Sequence, residues 1–264
     1  MPENNRDNKQ SFIKKFNDIA HHKHRYDVFR DFVTISAISL HNAVNKVESL
    51  ENEYMQIIKP YAKNEVNAFA ELFADLVMML EPQPRDVLGE LYMELNLGNK
   101  NAGQFFTPPH ISELMAEMVY GDQLKEFEQP FITLSEPTCG AGGMVLAFVK
   151  TMIAHGHNPA DKLWVQCTDI DRLAALMCYV QLSLWHVPAQ VIVGNSLTLE
   201  TREVFYTPAH YMGLWDMRLN FRKSERLITE HQQANEPKID ELKLPDDNII
   251  DIGKSADIQL GFDF

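Results

Sequence analysis

Residues 135–143 read Ser-Glu-Pro-Thr-Cys-Gly-Ala-Gly-Gly, a glycine-rich turn between two apolar segments. The segment before it, Phe-Ile-Thr-Leu at 131–134, favours a β-strand, whereas Met-Val-Leu-Ala-Phe-Val at 144–149 favours a helix. Glycines let the backbone turn sharply and approach a ligand that a Cβ atom would block. The N-terminus of a helix also presents free amide groups to such a ligand. This strand–turn–helix pattern predicts a site for a nucleotide-type cofactor.

Two further strand-like segments follow the turn, with a helix predicted between them. Residues 163–168 lead to Asp169, and residues 190–193 lead to Asn195. Alternating strands and helices indicate a parallel sheet with right-handed crossovers, in which ligands bind at the carboxyl ends of the strands. We therefore expect polar ligand contacts from Glu136, Asp169 and Asn195, which end the three strands.

The first hundred residues carry helical patterns and no cofactor signal. Apolar residues recur at helical spacing within 12–47, 65–80 and 87–95, and Asp86 can cap the third of these helices. The sequence therefore predicts three parts. They are a helical N-terminal region at 1–100, an α/β cofactor-binding domain at 101–222, and an acidic, partly irregular tail at 223–264.

Composition limits the class of protein. The chain has 264 residues, 45% of them hydrophobic, and no apolar run reaches the roughly 18 residues that span a bilayer. A net charge of −13 argues against coating nucleic acid through bulk charge. Residues 9–30, however, carry six lysines and arginines against two aspartates. That segment could contact phosphates, or it could be a solvated helix face.

The cysteines and the N-terminus indicate the compartment. Cys139, Cys167 and Cys178 form neither a disulfide framework nor the spacing of metal ligands. The first residues lack the apolar core of a secretory signal. We therefore expect a cytoplasmic protein without a metal site and without a membrane partner.

Four segments, taken together and in order, resemble a known family. They are Gly103-Gln-Phe-Phe-Thr-Pro108, Glu136-Pro-Thr-Cys-Gly-Ala-Gly-Gly143, Asp169-Ile-Asp171 and Gly194-Asn-Ser196. They resemble the adenine-N6 DNA methyltransferases, above all the modification subunits of type I restriction–modification systems. Two residues depart mildly from the family pattern, Glu136 in place of Asp and Ala141 in place of Ser or Thr.

The resemblance covers roughly residues 85–200 and implies a fold, a cofactor and partners. The fold would be a helical N-terminal domain followed by the Rossmann-like parallel sheet of class I S-adenosylmethionine (SAM) methyltransferases, here truncated. The cofactor would be SAM. The partners would be DNA and other restriction–modification subunits.

The resemblance also implies which residues contact SAM. Gln104, Phe105 and Thr107 would close over the methionine end of the cofactor. Asp169 would accept hydrogen bonds from the ribose hydroxyls, although it could also cap the helix that begins near Arg172. The whole candidate set is Gln104, Phe105, Phe106, Thr107, Glu136, Pro137, Thr138, Cys139, Gly140, Gly142, Asp169, Ile170 and Asn195.

Three members of this set have a second interpretation. Glu136 could hold the ammonium group of the cofactor, directly or through water, or it could orient the turn. Asn195 could contact an adenine edge or simply form a turn. Cys139 is interpreted as a small packing residue rather than a nucleophile, because nothing near it in the sequence suggests a base.

A dinucleotide-dependent dehydrogenase is the competing class. Its G-x-G-x-x-G pattern is incomplete here, because Gly140 and Gly142 are followed by Val145 where the third glycine belongs. The sequence therefore favours the methyltransferase interpretation.

The groups that would present adenine to the cofactor are not found in the sequence. In the family, the base is flipped out of the duplex onto an Asn/Asp/Ser-Pro-Pro-aromatic loop after the fourth strand. The one Pro-Pro pair here, Pro108-Pro109, precedes the turn, and residues 215–220 echo a fourth strand without any proline. No catalytic residue is therefore assigned. Two hypotheses stay open: an adenine-N6 methyltransferase whose catalytic loop is degenerate or supplied by a partner, and an inactive SAM-binding module with a regulatory or antirestriction role.

Overall fold

A computed structural model of the chain describes residues 3–97 and 107–234. Within these ranges, a helical region precedes a four-stranded sheet. The helices before the first strand are α1 (Glu3–Asp18), α2 (Arg25–Asn42), α3 (Glu48–Ile58), α4 (Lys63–Leu80), α5 (Val87–Glu94) and α6 (Pro109–Lys125). The later elements are β1 (Ile132–Glu136), α7 (Gly143–Ala154), α8 (Pro159–Lys162), β2 (Leu163–Asp169), α9 (Arg172–Leu184), β3 (Ala189–Asn195), β4 (Glu200–Tyr206), α10 (Pro208–Met212) and α11 (Trp215–Ala234).

The sheet has the order β1-β2-β3-β4, in which β1, β2 and β3 are parallel and β4 is antiparallel to β3. Because the chain steps from β1 to β3 in one direction, right-handed crossovers place α7 and α9 on the same face. The predicted α/β class, with a helical region in front of a Rossmann-like parallel sheet, is confirmed. Within the described ranges β1 lies at one edge of the sheet and β4 at the other.

One face of the sheet forms the core. On β2 the buried residues alternate, Leu163, Val165 and Cys167. The register aligns the first two with apolar residues of β1 and the last two with apolar residues of β3. Trp164 and Gln166 point to the opposite face and are only half-buried. Helix α10 packs on that opposite face, where Trp164 Nε1 donates to His210 Nδ1 at 3.2 Å. The sheet is therefore partly covered on its second face too, as parallel sheets usually are.

The helical region and the sheet share one hydrophobic cluster. Buried residues of α1, α2, α4 and α5 belong to the same cluster as those of α7, α9 and the strands. Arg172, the first residue of α9, forms ion pairs with both parts. Its Nε lies 2.7 Å from a carboxylate oxygen of Glu203 on β4. Its terminal nitrogens lie 2.8 and 2.9 Å from the carboxylate oxygens of Glu53 on α3. The helices are therefore fastened to the sheet beside the end of β2.

Strand β4 was not predicted from the sequence, in which no strand was placed at 200–206. Three of its seven residues are charged and four are exposed, as is common for a strand at the edge of a sheet. The pairing of β3 with β4 contains an irregularity between Val193 and Gly194. A Cβ atom on Gly194 would lie 2.2 Å from the carbonyl oxygen of Glu200, so only glycine fits there.

Helix α11 corrects one sequence interpretation. Residues 215–220 belong to a helix and do not echo a fourth strand, and the helix continues to Ala234. These residues form a helix because one side of it packs against Phe131. The fully buried ring of Trp215 lies 5.0 Å from the Phe131 ring. The guanidinium groups of Arg218 and Arg222 lie 5.3 and 4.8 Å from the same ring. Contacts spaced three and four residues apart select a helix. The rest of the expected tail, residues 235–264, lies outside the described residues.

Among the residues that the structure describes, none of the helices combines the length and the apolar character that a membrane crossing requires.

Candidate cofactor site

The glycine turn is fixed to the neighbouring strand by backbone contacts. The amide of Cys139 donates to the carbonyl oxygen of Thr168 on β2 at 2.9 Å, and the amide of Gly142 donates to the carbonyl oxygen of Cys139 at 2.8 Å. Gly140 and Gly142 have φ values of +54° and +93°, which residues other than glycine rarely adopt. The turn therefore crosses the carboxyl ends of β1 and β2 and leads directly into α7.

Asp169 holds this turn. Its Oδ2 accepts a hydrogen bond from the Gly140 amide at 2.8 Å, and its Oδ1 accepts one from the Asp171 amide at 2.9 Å. Burial raises the pKa of the Asp169 carboxyl, although these amide bonds act in the opposite direction. A carboxylate has about four acceptor positions, so each oxygen can accept a further bond.

The capping role that the sequence left open for Asp169 belongs to Asp171. The side chain of Asp171 accepts from the amides of Leu173 and Ala174, at 2.7 and 3.3 Å, at the start of α9. The two aspartates therefore have different roles. Asp171 caps the helix, and Asp169 connects β2 to the glycine turn.

Glu136 and Asn195 both bond to the backbone of their own turns. Glu136 Oε1 accepts from the Thr138 amide at 3.1 Å, so Glu136 orients the glycine turn, one of its two interpretations. Asn195 Oδ1 accepts from the amides of Leu197 and Thr198 at 2.9 and 3.3 Å, which is the turn-forming interpretation. Together with Asp169, these residues place three polar side chains at the carboxyl ends of the parallel strands.

Exposure separates the candidates that a ligand can reach from those it cannot. Pro137 and Thr138 are exposed, and Ile170, next to Asp169, is 62% exposed although it is apolar. Cys139 and Gly142 are buried. On the open side of the turn, Cys139 therefore presents its backbone rather than its thiol.

The segment before α6 is described only in part. Gln104, Phe105 and Phe106 lie outside the described residues. Thr107 is exposed and lines a cleft of about 440 Å³ between α1, α5 and the start of α6. Asp86 also lines this cleft, and its Oδ2 lies 3.5 Å from the position a Cβ atom would take on Gly143. Asp86 is therefore the side chain that connects the Thr107 segment with the glycine turn.

A network of hydrogen bonds around Gln181 was not predicted from the sequence. This fully buried residue of α9 donates through Nε2 to Asp86 Oδ1 at 2.9 Å and to the carbonyl oxygen of Ala141 at 2.7 Å. Its Oε1 accepts from the Leu88 amide at 3.0 Å. The signal in the sequence was an amide side chain inside an otherwise apolar helix. Burial raises the pKa of the Asp86 carboxyl, and the Gln181 donor acts against that rise.

The basic segment at 9–30 is occupied by contacts within the chain. Five of its six lysines and arginines bond to carboxylates or backbone carbonyls. The ion pairs include Lys9–Glu94, Lys15–Asp75, Lys23–Asp31 and Arg30–Asp27. These partners favour the interpretation of the segment as a structural helix face over that of a phosphate-binding surface.

Comparison with known proteins gives three findings. The sequence model of the family described as N-6 DNA Methylase matches residues 83–220. The methylase subunit of the type I restriction enzyme MpnII from Mycoplasma pneumoniae is 24% identical over 182 residues, which are 67% of this chain and 29% of that protein. A class I S-adenosylmethionine-dependent methyltransferase from Listeria monocytogenes superposes with a TM-score of 0.31 at 12% identity, over 63% of this chain and 52% of the other.

These findings differ in weight. The structural superposition is too weak to carry a conclusion. The chain spans less than a third of the length of the Mycoplasma subunit, so that subunit's activity does not transfer with the match. The family match covers more than half of the chain and includes the glycine turn and the ends of all three parallel strands. The chain belongs to the N-6 DNA methylase family.

Proposed function

We propose that this chain binds SAM at the carboxyl edge of its sheet and serves the transfer of a methyl group from SAM to the N6 amine of adenine in DNA, as part of a restriction–modification methyltransferase. The observation that carries the proposal is the bond between Asp169 and the Gly140 amide, which places a carboxylate with unused acceptor positions beside an open glycine turn. The family match and the name of the Mycoplasma subunit support the choice of DNA and of restriction–modification partners.

The described residues fit SAM. Asp169 would accept from the ribose hydroxyls while keeping its bonds to the turn, and the exposed Ile170 would offer an apolar surface to the adenine ring. Pro137 and Thr138 would line the same side, and the turn backbone at Gly140 and Gly142 would allow close approach. Glu136 and Asn195 would fix the turns around the ligand. Gln104, Phe105, Phe106 and Thr107 complete the proposed set by resemblance.

When bound, SAM would supply an activated methyl group on its sulfonium sulfur. The chain's own residues would position the cofactor and exclude water from its buried side, since Cys139 and Ala141 close the turn from below. The side chains that would hold the adenine amine are not assigned to any residue of this chain. We propose that another subunit, or another part of the assembly, supplies them. Residues 1–100 and 101–222 would then serve as the helical and the cofactor-binding parts of one unit.

A second candidate function follows from one feature of the sequence. No Asn/Asp/Ser-Pro-Pro-aromatic segment follows the glycine turn. A chain that keeps a SAM site without that segment would suit an inactive module that regulates a restriction–modification complex or acts against it.

A methyl-transfer assay separates the two functions. Tritiated SAM is incubated with mixed DNA and the protein, alone and together with candidate restriction–modification subunits. We expect label in DNA only when a subunit is added. Label with the protein alone would show that this chain contains the whole active site, and binding of SAM without label in any mixture would favour the inactive module.

Replacing Asp169 by alanine should weaken SAM binding by about fivefold or more. The change leaves two backbone amides without acceptors and removes the proposed ribose contact, a loss of about 1–3 kcal/mol, and 1.4 kcal/mol corresponds to a factor of ten in affinity. Calorimetric titration with SAM measures it. Asp171→Ala is the matched control, since it loses a helix cap worth about 1 kcal/mol of stability and should keep its affinity. Equal loss in the two variants would contradict the role of Asp169.

A further inference from the structure

The three cysteines meet in space although their spacing in the sequence indicates no metal site. Cys139 comes from the glycine turn, Cys167 from β2 and Cys178 from α9. Their three Sγ atoms all lie within 4.8 Å of one another. All three side chains are buried, and the structure contains no disulfide between them. The fold therefore assembles a compact group of three thiols, which we call the thiol cluster.

The thiol cluster lies directly beneath the glycine turn. Cys139 is itself a turn residue, and its amide and carbonyl make the two backbone bonds that fix the turn. On the other side, Cys178 Sγ lies 3.0 Å from the position of a Cβ atom on Gly142. Any ligand of the three sulfurs would therefore connect the turn, β2 and α9.

We propose that Cys139, Cys167 and Cys178 form a site for one Cu(I) ion. Thiolate sulfur is a soft donor that selects Cu(I), Zn(II) or iron–sulfur clusters, and iron–sulfur clusters are ordinarily held by four cysteines. Zn(II) in a closed protein site takes four ligands in a tetrahedron. In the part of the chain that the structure describes, no histidine or carboxylate oxygen joins the three sulfurs at comparable distance. Three sulfurs and no fourth donor favour the ion that accepts three ligands.

Competition with a chromogenic Cu(I) chelator tests this site. The reduced protein is titrated under anaerobic conditions with Cu(I), in the presence of the chelator. We expect uptake of one equivalent, and X-ray absorption should show three sulfur neighbours at about 2.3 Å, a length typical of metal–thiolate bonds. Absence of uptake, or a coordination shell containing nitrogen or oxygen, would overturn the proposal. So would binding of Zn(II) in preference to Cu(I).

Two variants and one chemical readout make the test specific. Cys178→Ala should lower the Cu(I) affinity at least tenfold, whereas Met177→Leu, which removes a buried soft sulfur from the adjacent position of α9, should not. The chain has only three cysteines, so mass-spectrometric counting of alkylated thiols in the wild-type protein reports on this cluster alone. Cu(I) should protect all three during partial unfolding. Alkylation that is indifferent to Cu(I) would contradict the site even if a cysteine variant failed to fold.

Discussion

Replacing Gln181 by leucine is expected to lower the free energy of unfolding by about 3 kcal/mol or more, although the two side chains are similar in size. Gln181 is fully buried, and its amide satisfies Asp86, the Ala141 carbonyl and the Leu88 amide. Leucine would leave these three polar groups buried without their partner, and each such group costs about 1–3 kcal/mol. The expected loss is a large share of the roughly 5–15 kcal/mol that stabilises a folded domain.

Chemical denaturation followed by circular dichroism measures this loss. Gln190→Leu is the matched control, because Gln190 is half-buried and its Nε2 donates to a single partner, the Tyr206 hydroxyl, at 2.7 Å. We expect that variant to lose about 1 kcal/mol. If both variants lost the same stability, the network of Gln181 would not connect α5, α9 and the glycine turn in the way the contacts indicate. The denaturant concentration at half-unfolding should be lower for the Gln181→Leu variant, with little change in the m-value.

Replacing Gly142 by alanine is expected to destabilise the protein by about 2 kcal/mol or more and to abolish tight SAM binding. The backbone at Gly142 has a φ of +93°, and a left-handed conformation costs an alanine about 1–2 kcal/mol. The new Cβ atom would also lie 3.0 Å from Cys178 Sγ, in the packed interior beneath the turn. Relief of that contact would shift α9 or the turn itself, and the turn carries proposed cofactor contacts.

Gly156→Ala separates the two causes. Gly156 has a φ of +83°, close to that of Gly142, but nothing lies within 4 Å of its Cβ position. It should therefore show the conformational cost alone, at about 1–2 kcal/mol, and bind SAM normally. Thermal unfolding resolves the difference, because 1 kcal/mol corresponds to about 2–4 °C in a protein of this size. Identical melting temperatures and affinities would mean that the turn tolerates the extra methyl group.

The sequence was sufficient wherever a short local pattern determines the structure. The glycine turn, the acidic residue at the end of β2 and the capping role of Asp86 are visible in a few consecutive residues, and the structure contains all three. The family was also accessible, because its motifs recur in order. The residues of the candidate site could therefore be named, although their division of labour could not.

What the sequence could not give depends on contacts between distant residues. Asp169 and Asp171 are equivalent as potential helix caps in the sequence, and only the position of the Gly140 amide distinguishes them. Strand β4 lacks the apolar pattern that predicts a strand, because an edge strand needs little apolar surface. The meeting of Cys139, Cys167 and Cys178 follows from the register of β2 and the packing of α9, which no local spacing encodes.

The bonds that Asp169 and Glu136 make to the glycine turn affect the entropy of binding. The turn is already held by three hydrogen bonds. Gly140 and Cys139 donate to Asp169 and Thr168 of β2, and Thr138 donates to Glu136 at the end of β1. A ligand that meets an ordered turn does not have to restrict the backbone on arrival, and restricting one residue costs about 1–2 kcal/mol. More of the contact free energy then appears as affinity. Even a small number of direct contacts at this edge can support selective recognition.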